Sequence, residues 1–172
     1  MPGSALNVAA TCLCTFKAVT FAQAVLHRRV GHGRLIRSIH ERHIRSHHSL
    51  FWGRQFDAPI YTEEEQSVSH TYVPVAAAMG TFSYWVLPLD LAVVSLLSLL
   101  VTIGAHIYLH EHFHLTGSWL LRFLWFRHLK ELHRVHHAAP RKNFGIIDYS
   151  WDRLFRTFSP AGRDQGMQET RQ

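Results

Sequence analysis

The chain has 172 residues, 47% of them apolar, with a formal net charge of +6 and a pI near 9.8. That length allows one domain, expected over residues 1–159 and followed by a disordered tail over 160–172. The basic balance comes with no recognised nucleic-acid motif, so no nucleic-acid partner is expected, and Cys12 and Cys14 lie too close together in an apolar run to make a secretory disulfide framework.

Residues 5–26 are apolar except for Asn7, a few threonines, Gln23 and Lys17. About 20 apolar residues cross a bilayer, so this stretch predicts one membrane helix. It lacks the basic leader of a signal peptide and reads as a retained anchor. Lys17 is costly in hydrocarbon and is expected to snorkel or to face another helix. Residues 27–54 are polar, basic and histidine-rich, with a helix predicted over 33–49. Residues 53–72 read as a loop returning to the membrane, with Glu63, Glu64 and Glu65 as a solvated acidic run.

Residues 73–109 hold a single carboxylate, Asp90, and a single histidine, His106. So long an uncharged stretch is hard to place in a small soluble core. It breaks at Leu87-Pro88-Leu89-Asp90, where proline interrupts a helix and aspartate needs water. The break predicts a hairpin of two short spans, about 71–87 and 90–109, with one long kinked helix as the alternative. Residues 115–160 are amphipathic and carry Trp119, Phe123, Trp125, Phe126, Trp151, Phe155 and Phe158, which suit either a membrane–water interface or the packing of a small lobe.

The fold expected is therefore an all-α integral membrane helical bundle of about three spans with a cytosolic lobe. Of the eighteen Lys and Arg residues, seven lie between 28 and 54 and ten between 122 and 171. Positive residues beside spans mark the cytoplasmic side. Two crossings between these segments put both on that side.

Histidine carries the chemistry. The chain has 15 of them, most in four clusters: His27 and His32; His43, His47 and His48; His110 and His114; His133, His136 and His137. Neutral imidazole is the commonest protein metal ligand. Ten clustered imidazoles exceed the four ligands of a tetrahedral zinc and suit two metal ions in one site. At about 100° per residue, His133, His136 and His137 converge on one helix face and His110 and His114 stack. His40, His43 and His47 form a stripe from which His48 is rotated away, so either His40 joins that cluster or the helix bends to bring His48 in. His27 and His32, five apart, need a turn or kink. His70 and His106 read as ordinary histidines, and His112 and His128 could go either way.

The boxes HRRVGH, HIRSHH, HEHFH and HRVHH occur in that order. Asn143-Phe144-Gly145 and Trp151-Asp152-Arg153-Leu154-Phe155 follow them. Over about residues 22–158 this pattern resembles the fatty acid hydroxylase and sterol desaturase superfamily of membrane-bound, histidine-box diiron oxygenases. The resemblance implies a four-helix membrane bundle capped by a cytosolic dimetal lobe. It implies two iron ions, replaceable by zinc on isolation, with O2 as co-substrate. Electrons would come from a separate donor of cytochrome b5 or ferredoxin type with its reductase, since no fused haem domain is present. The implied reaction is hydroxylation or desaturation of a C–H bond in a lipid such as a fatty acyl chain, sterol or carotenoid. The membrane would be the endoplasmic reticulum in a eukaryote or the inner membrane in a bacterium.

The ligands carried over are His27, His32, His43, His47, His48, His110, His114, His133, His136 and His137. Asn143 and Asp152 would orient imidazoles through their outer N–H groups. The chain departs from the pattern in having one span before the first box where two are usual, as in a truncated version of the four-span fold, and Arg156 where glycine is common. Two other readings are a non-catalytic metal-binding membrane protein and a metallohydrolase. The latter would need a carboxylate base such as Glu111 or Glu41, and the boxes are not HExxH.

Overall fold

The computed structural model describes residues 4–52, 55–61 and 72–162. Glu63, Glu64, Glu65, His70 and residues 163–172 of the expected tail lie outside the described residues. Those described form six α-helices with no strand among them: α1 (Ala5–Leu26), α2 (Arg37–Arg42), α3 (Tyr72–Val86), α4 (Leu89–Phe113), α5 (Leu124–Ala138) and α6 (Ser150–Leu154).

Ser4 starts α1, its hydroxyl accepting the Asn7 N–H at 3.3 Å, which occupies a donor that the first turn leaves unpaired. Pro88 ends the path of α3 and stands at the N-cap of α4, where its missing N–H costs nothing. Asp90 in the first turn complements the positive end of that helix. The two helices form an antiparallel hairpin, not one kinked rod: Ser83 meets Ser95 at 2.9 Å, and Tyr72 meets His106 at 3.1 Å. Two helices, spanning Ala5–Gly31 and Leu89–Phe113, are long and apolar enough to cross a membrane. The 15 residues of α3 span about 22 Å, short of the roughly 30 Å of a hydrocarbon core. Among the described residues two helices thus reach that length, and the residues just before Tyr72 lie outside the described ones.

α1 packs on α4, and α4 on α3, through small polar side chains that satisfy one another. Thr15 and Ser95 hydroxyls lie 3.0 Å apart, and the Ser98 hydroxyl donates to Cys12 Sγ at 3.3 Å. Lys17 faces neither solvent alone nor another long helix. Its ammonium meets Asp148 Oδ2 and Ser150 Oγ, each at 2.8 Å. The segment 144–151 lies along α1, tied also by the Gln23 amide donating to the Phe144 carbonyl at 2.8 Å and the Trp151 indole donating to Thr20 Oγ1 at 3.0 Å.

The aromatic C-terminal part divides between buried and exposed rings. Phe126 is buried with Phe113, Leu120 and Ile146, while Trp119 and Trp125 are exposed. The single helix predicted over 33–49 is corrected. Residues 33–36 are bent, α2 begins only at Arg37, and from His43 to His48 the backbone is π-helical.

Candidate metal centre

A π-turn uses i→i+5 hydrogen bonds, which insert one residue into a helical turn. Among the described residues there are two such turns, and both carry histidine clusters. In the first, His27–Gly31, the His32 N–H donates to the His27 carbonyl at 2.9 Å and the Gly33 N–H to the Arg28 carbonyl at 2.8 Å. Five residues then make about one turn, so His27 and His32 share a face that an α-helix denies them. Gly31 lets the rings close in, because a Cβ there would stand 3.2 Å from carbons of both His27 and His43. The second π-turn, His43–His48, brings His43, His47 and His48 inward together. His48 joins the cluster, and His40 instead donates Nδ1–H to the Gly31 carbonyl at 2.9 Å.

The remaining rings come from regular helices. α4 extends past residue 109 and presents His110 near its C-terminal end, with His114 as its C-cap. α5 is amphipathic and buries Phe126, Lys130, His133, His136 and His137 on one side.

Nine of the ten expected ligands gather into two groups whose ligand atoms lie within 4.8 Å of one another: His27, His32, His43, His48 and His136, then His47, His114, His133 and His137. Each of these groups could hold a metal ion. The tenth, His110, borders the second group, its ring centroid 4.8 Å from His133 and 4.9 Å from His47. Sequence order does not sort the groups, since each draws on widely separated segments and the neighbours His47 and His48 fall in different ones. His106 hydrogen-bonds Tyr72, His112 lies against the Tyr108 ring at 4.0 Å, and His128 is exposed, so none of these three joins either group.

The orientation of the rings says what they await. A carbonyl can only accept, so His27 donates Nδ1–H to Phe144 O at 2.8 Å, His136 to Lys142 O at 2.7 Å and His114 to Phe56 O at 3.1 Å. Neutral imidazole has one N–H, so Nε2 of these three carries a lone pair. His32 Nε2 lies 2.9 Å from His136 Nε2 and 3.1 Å from both His43 Nε2 and His48 Nε2. His133 Nε2 lies 3.1 Å from His114 Nε2 and 3.2 Å from His137 Nε2. A ring nitrogen has one in-plane position, so His32 Nε2 cannot serve its three neighbours, nor His133 Nε2 its two, by hydrogen bonding alone. A metal bonded to nitrogen at about 2.1 Å, with ligands at right angles, separates them by about 3 Å. The donor set fits a bound metal in each group.

Burial keeps the rings in their ligating form. It lowers the pKa of His43, His47, His133 and His137 well below 6.5, helped by the charge each ring would put on its neighbours. His114 is pushed down to about 3, its burial outweighing the Phe56 carbonyl that favours the charged form. Phe51, Phe56, Phe113 and Phe144 surround the rings and keep the site apolar.

Asn143 and Asp152 do not touch an imidazole, contrary to expectation. Asn143 adopts φ 53, in the left-handed region that asparagine tolerates, and donates to the Leu132 and Ser159 carbonyls at 3.0 and 2.8 Å. Asp152 accepts from the Phe144 and Gly145 N–H groups at 2.8 and 2.7 Å. The groups that receive the N–H of His114, His136 and His27 are the backbone carbonyls of Phe56, Lys142 and Phe144. Sequence reasoning missed them because a carbonyl leaves no mark on residue type.

Comparison of the chain with models of protein families, with curated proteins and with solved structures gave no match.

Proposed function

We propose that the chain is a membrane-embedded dimetal oxygenase that hydroxylates or desaturates a lipid C–H bond. One observation carries the reading: two adjoining, buried, all-imidazole groups with converging lone pairs, at the ends of two long apolar helices. His27, His32, His43, His48 and His136 would hold one iron; His47, His114, His133 and His137, with His110 beside them, would hold the other. Bound iron would supply activation of O2 and hydrogen abstraction from an unactivated carbon. The chain's own residues hold the metals, keep the imidazoles neutral and exclude water. Electrons come from a separate protein, and the histidine lobe faces the cytosol.

An apolar cleft supports a lipid substrate. It has a volume of about 560 Å³ between α1, α3 and α4 and is lined by Ala10, Cys14, Ala18, Ala78, Met79 and Phe82 among others. Of its polar lining, Thr15 and Ser83 each hydrogen-bond Ser95, leaving a mostly apolar wall suited to a hydrocarbon chain. A metallohydrolase is disfavoured because neither group contains a carboxylate, and Glu41 is engaged by Arg37 at 2.8 Å on the surface.

The test is anaerobic expression in membranes, measurement of iron and zinc per chain, and a lipid-product screen with O2 and reductant. About two irons per chain, reduced in His136→Ala, together with an O2-dependent hydroxylated or desaturated lipid, are expected. Zinc alone under iron-replete conditions, or iron with no lipid product, would favour the non-catalytic metal-binding reading.

A further inference from the structure

His27 and His114 aim Nε2 into different metal groups, and each turns Nδ1–H to a loop carbonyl, Phe144 O and Phe56 O. Each loop is shaped by one aspartate. Asp152 Oδ1 accepts from the Phe144 N–H at 2.8 Å and the Thr157 hydroxyl at 2.6 Å, and Oδ2 accepts from the Gly145 N–H at 2.7 Å. Asp152 is 1% exposed, so this carboxylate has no water to fall back on. On the other side, Asp57 Oδ1 lies 2.7 Å from Lys130 Nζ and Oδ2 lies 3.1 Å from Arg134 Nη2. Arg134 covers the Phe56 ring at 4.5 Å. Ala58, next in the chain, exchanges backbone hydrogen bonds with His114 and Thr116 at 2.8 and 3.0 Å.

The two arrangements share no residue. One ties the C-terminal segment to the end of α1, and the other ties the 55–61 segment to α5 and the end of α4. An imidazole whose outer N–H is fixed has a set tautomer, a set ring plane and a more basic opposite nitrogen. Moving the carbonyl therefore changes the ligand without touching it.

We propose that Asp152 and Asp57 are positioning residues, each setting one imidazole through one main-chain carbonyl, so that the two metal positions are tuned separately. This rests on the dimetal reading above.

The test is anaerobic ferrous titration of the metal-free full chain in detergent, following bound iron and the affinity of each position. Asp152→Asn is expected to weaken the first position 10- to 100-fold, the range for outer partners of metal-binding histidines, and to leave the second intact. Asp57→Asn should do the reverse. Combined variants assign the loss. At a ferrous concentration that fills only the tighter position of Asp57→Asn, adding His114→Ala should remove no further iron, whereas adding His136→Ala should remove what is left. Should Asp152→Asn or Asp57→Asn fail to fold, Thr157→Val and Arg134→Ala loosen the same carboxylates more gently and should shift the same positions in the same directions. Loss of both metals together in either variant, or unchanged affinity in both, overturns the proposal. A wild-type chain that takes up no iron overturns the dimetal reading itself, and this one with it.

Discussion

The rings of His48 and His137 lie stacked, their centroids 4.3 Å apart and their planes 23° from parallel. His48 belongs to the first metal group and His137 to the second. His47, beside His48 in the chain, also lies against His137, at 4.5 Å. One π-turn thus feeds both groups, and the centre is one contiguous body of imidazoles.

Stripping metal from such a centre should loosen it, because Nε2 atoms are left crowded together and hydrogen bonds cannot satisfy every approach. A chelator is expected to lower the unfolding temperature of the purified protein markedly. A ligand at a hundredfold its dissociation constant stabilises by about 2.7 kcal/mol. In His137→Ala the difference between metal-loaded and stripped protein should shrink. Equal unfolding temperatures with and without chelator in the wild type would contradict the fit of the donor set.

The pH dependence follows from the lowered histidine pKa values. The unfolded chain takes up protons near 6.5, while His43, His47, His133 and His137 in the folded chain resist them. Below that pH the unfolded state binds more protons, so stability falls. The metal-free protein should be most stable above about pH 7 and lose stability steadily towards about pH 4. His114, pushed down to about 3, keeps contributing to that loss over most of the range. Thermal unfolding across a pH series checks this, and a flat profile would count against burial of neutral rings.

Lys17 is expected to matter despite lying in an apolar helix. Its side chain is 41% exposed, and that of its partner Asp148 is 10% exposed. Lys17→Met should destabilise by about 1–2 kcal/mol, a modest figure because solvent screens part of the pair. The double variant with Asp148→Asn should recover much of the loss, since no charge is then left without its partner. Denaturant unfolding in detergent measures both. Full additivity would show that the two residues act independently.

Two backbone positions near the end of the chain should respond oppositely. A Cβ on Gly145 would stand 2.6 Å from the Asp148 carbonyl oxygen and 3.0 Å from Asp152 Oδ2. Gly145→Ala should therefore destabilise by about 1–3 kcal/mol and weaken metal binding in the His27 group. Arg156 is exposed and has φ 58, a conformation costing an ordinary residue about 1 kcal/mol. Arg156→Gly should stabilise by up to that amount. Thermal unfolding of the two variants side by side decides it.

Much of this was legible in the residues. The apolar run 5–26 became α1 almost to the residue, and Pro88 with Asp90 marked the hairpin, because composition and proline act locally. The histidine spacing brought together the clusters it suggested. What stayed hidden depended on backbone paths. The spacing asked for a turn between His27 and His32 and offered a bend to admit His48, but not the π-helical form that both take over His27–Gly31 and His43–His48. Lys17 could not be matched to Asp148, because the partner lies far along the chain. The carbonyls that take the imidazole N–H groups have no residue identity to read. Asp152, expected beside an imidazole, instead accepts from the Phe144 and Gly145 N–H groups.

The two π-turns make this centre depend on counting as well as on chemistry. Many substitutions among Arg28, Arg29, Ile44 and Arg45 leave the histidines where they are. Deleting one of residues 28–31 would leave His27 and His32 four apart, the spacing an ordinary helical repeat already puts on one face, whereas inserting a residue there would swing His32 by about 100° around the axis. The boxes should therefore bear the loss of a residue better than the gain of one.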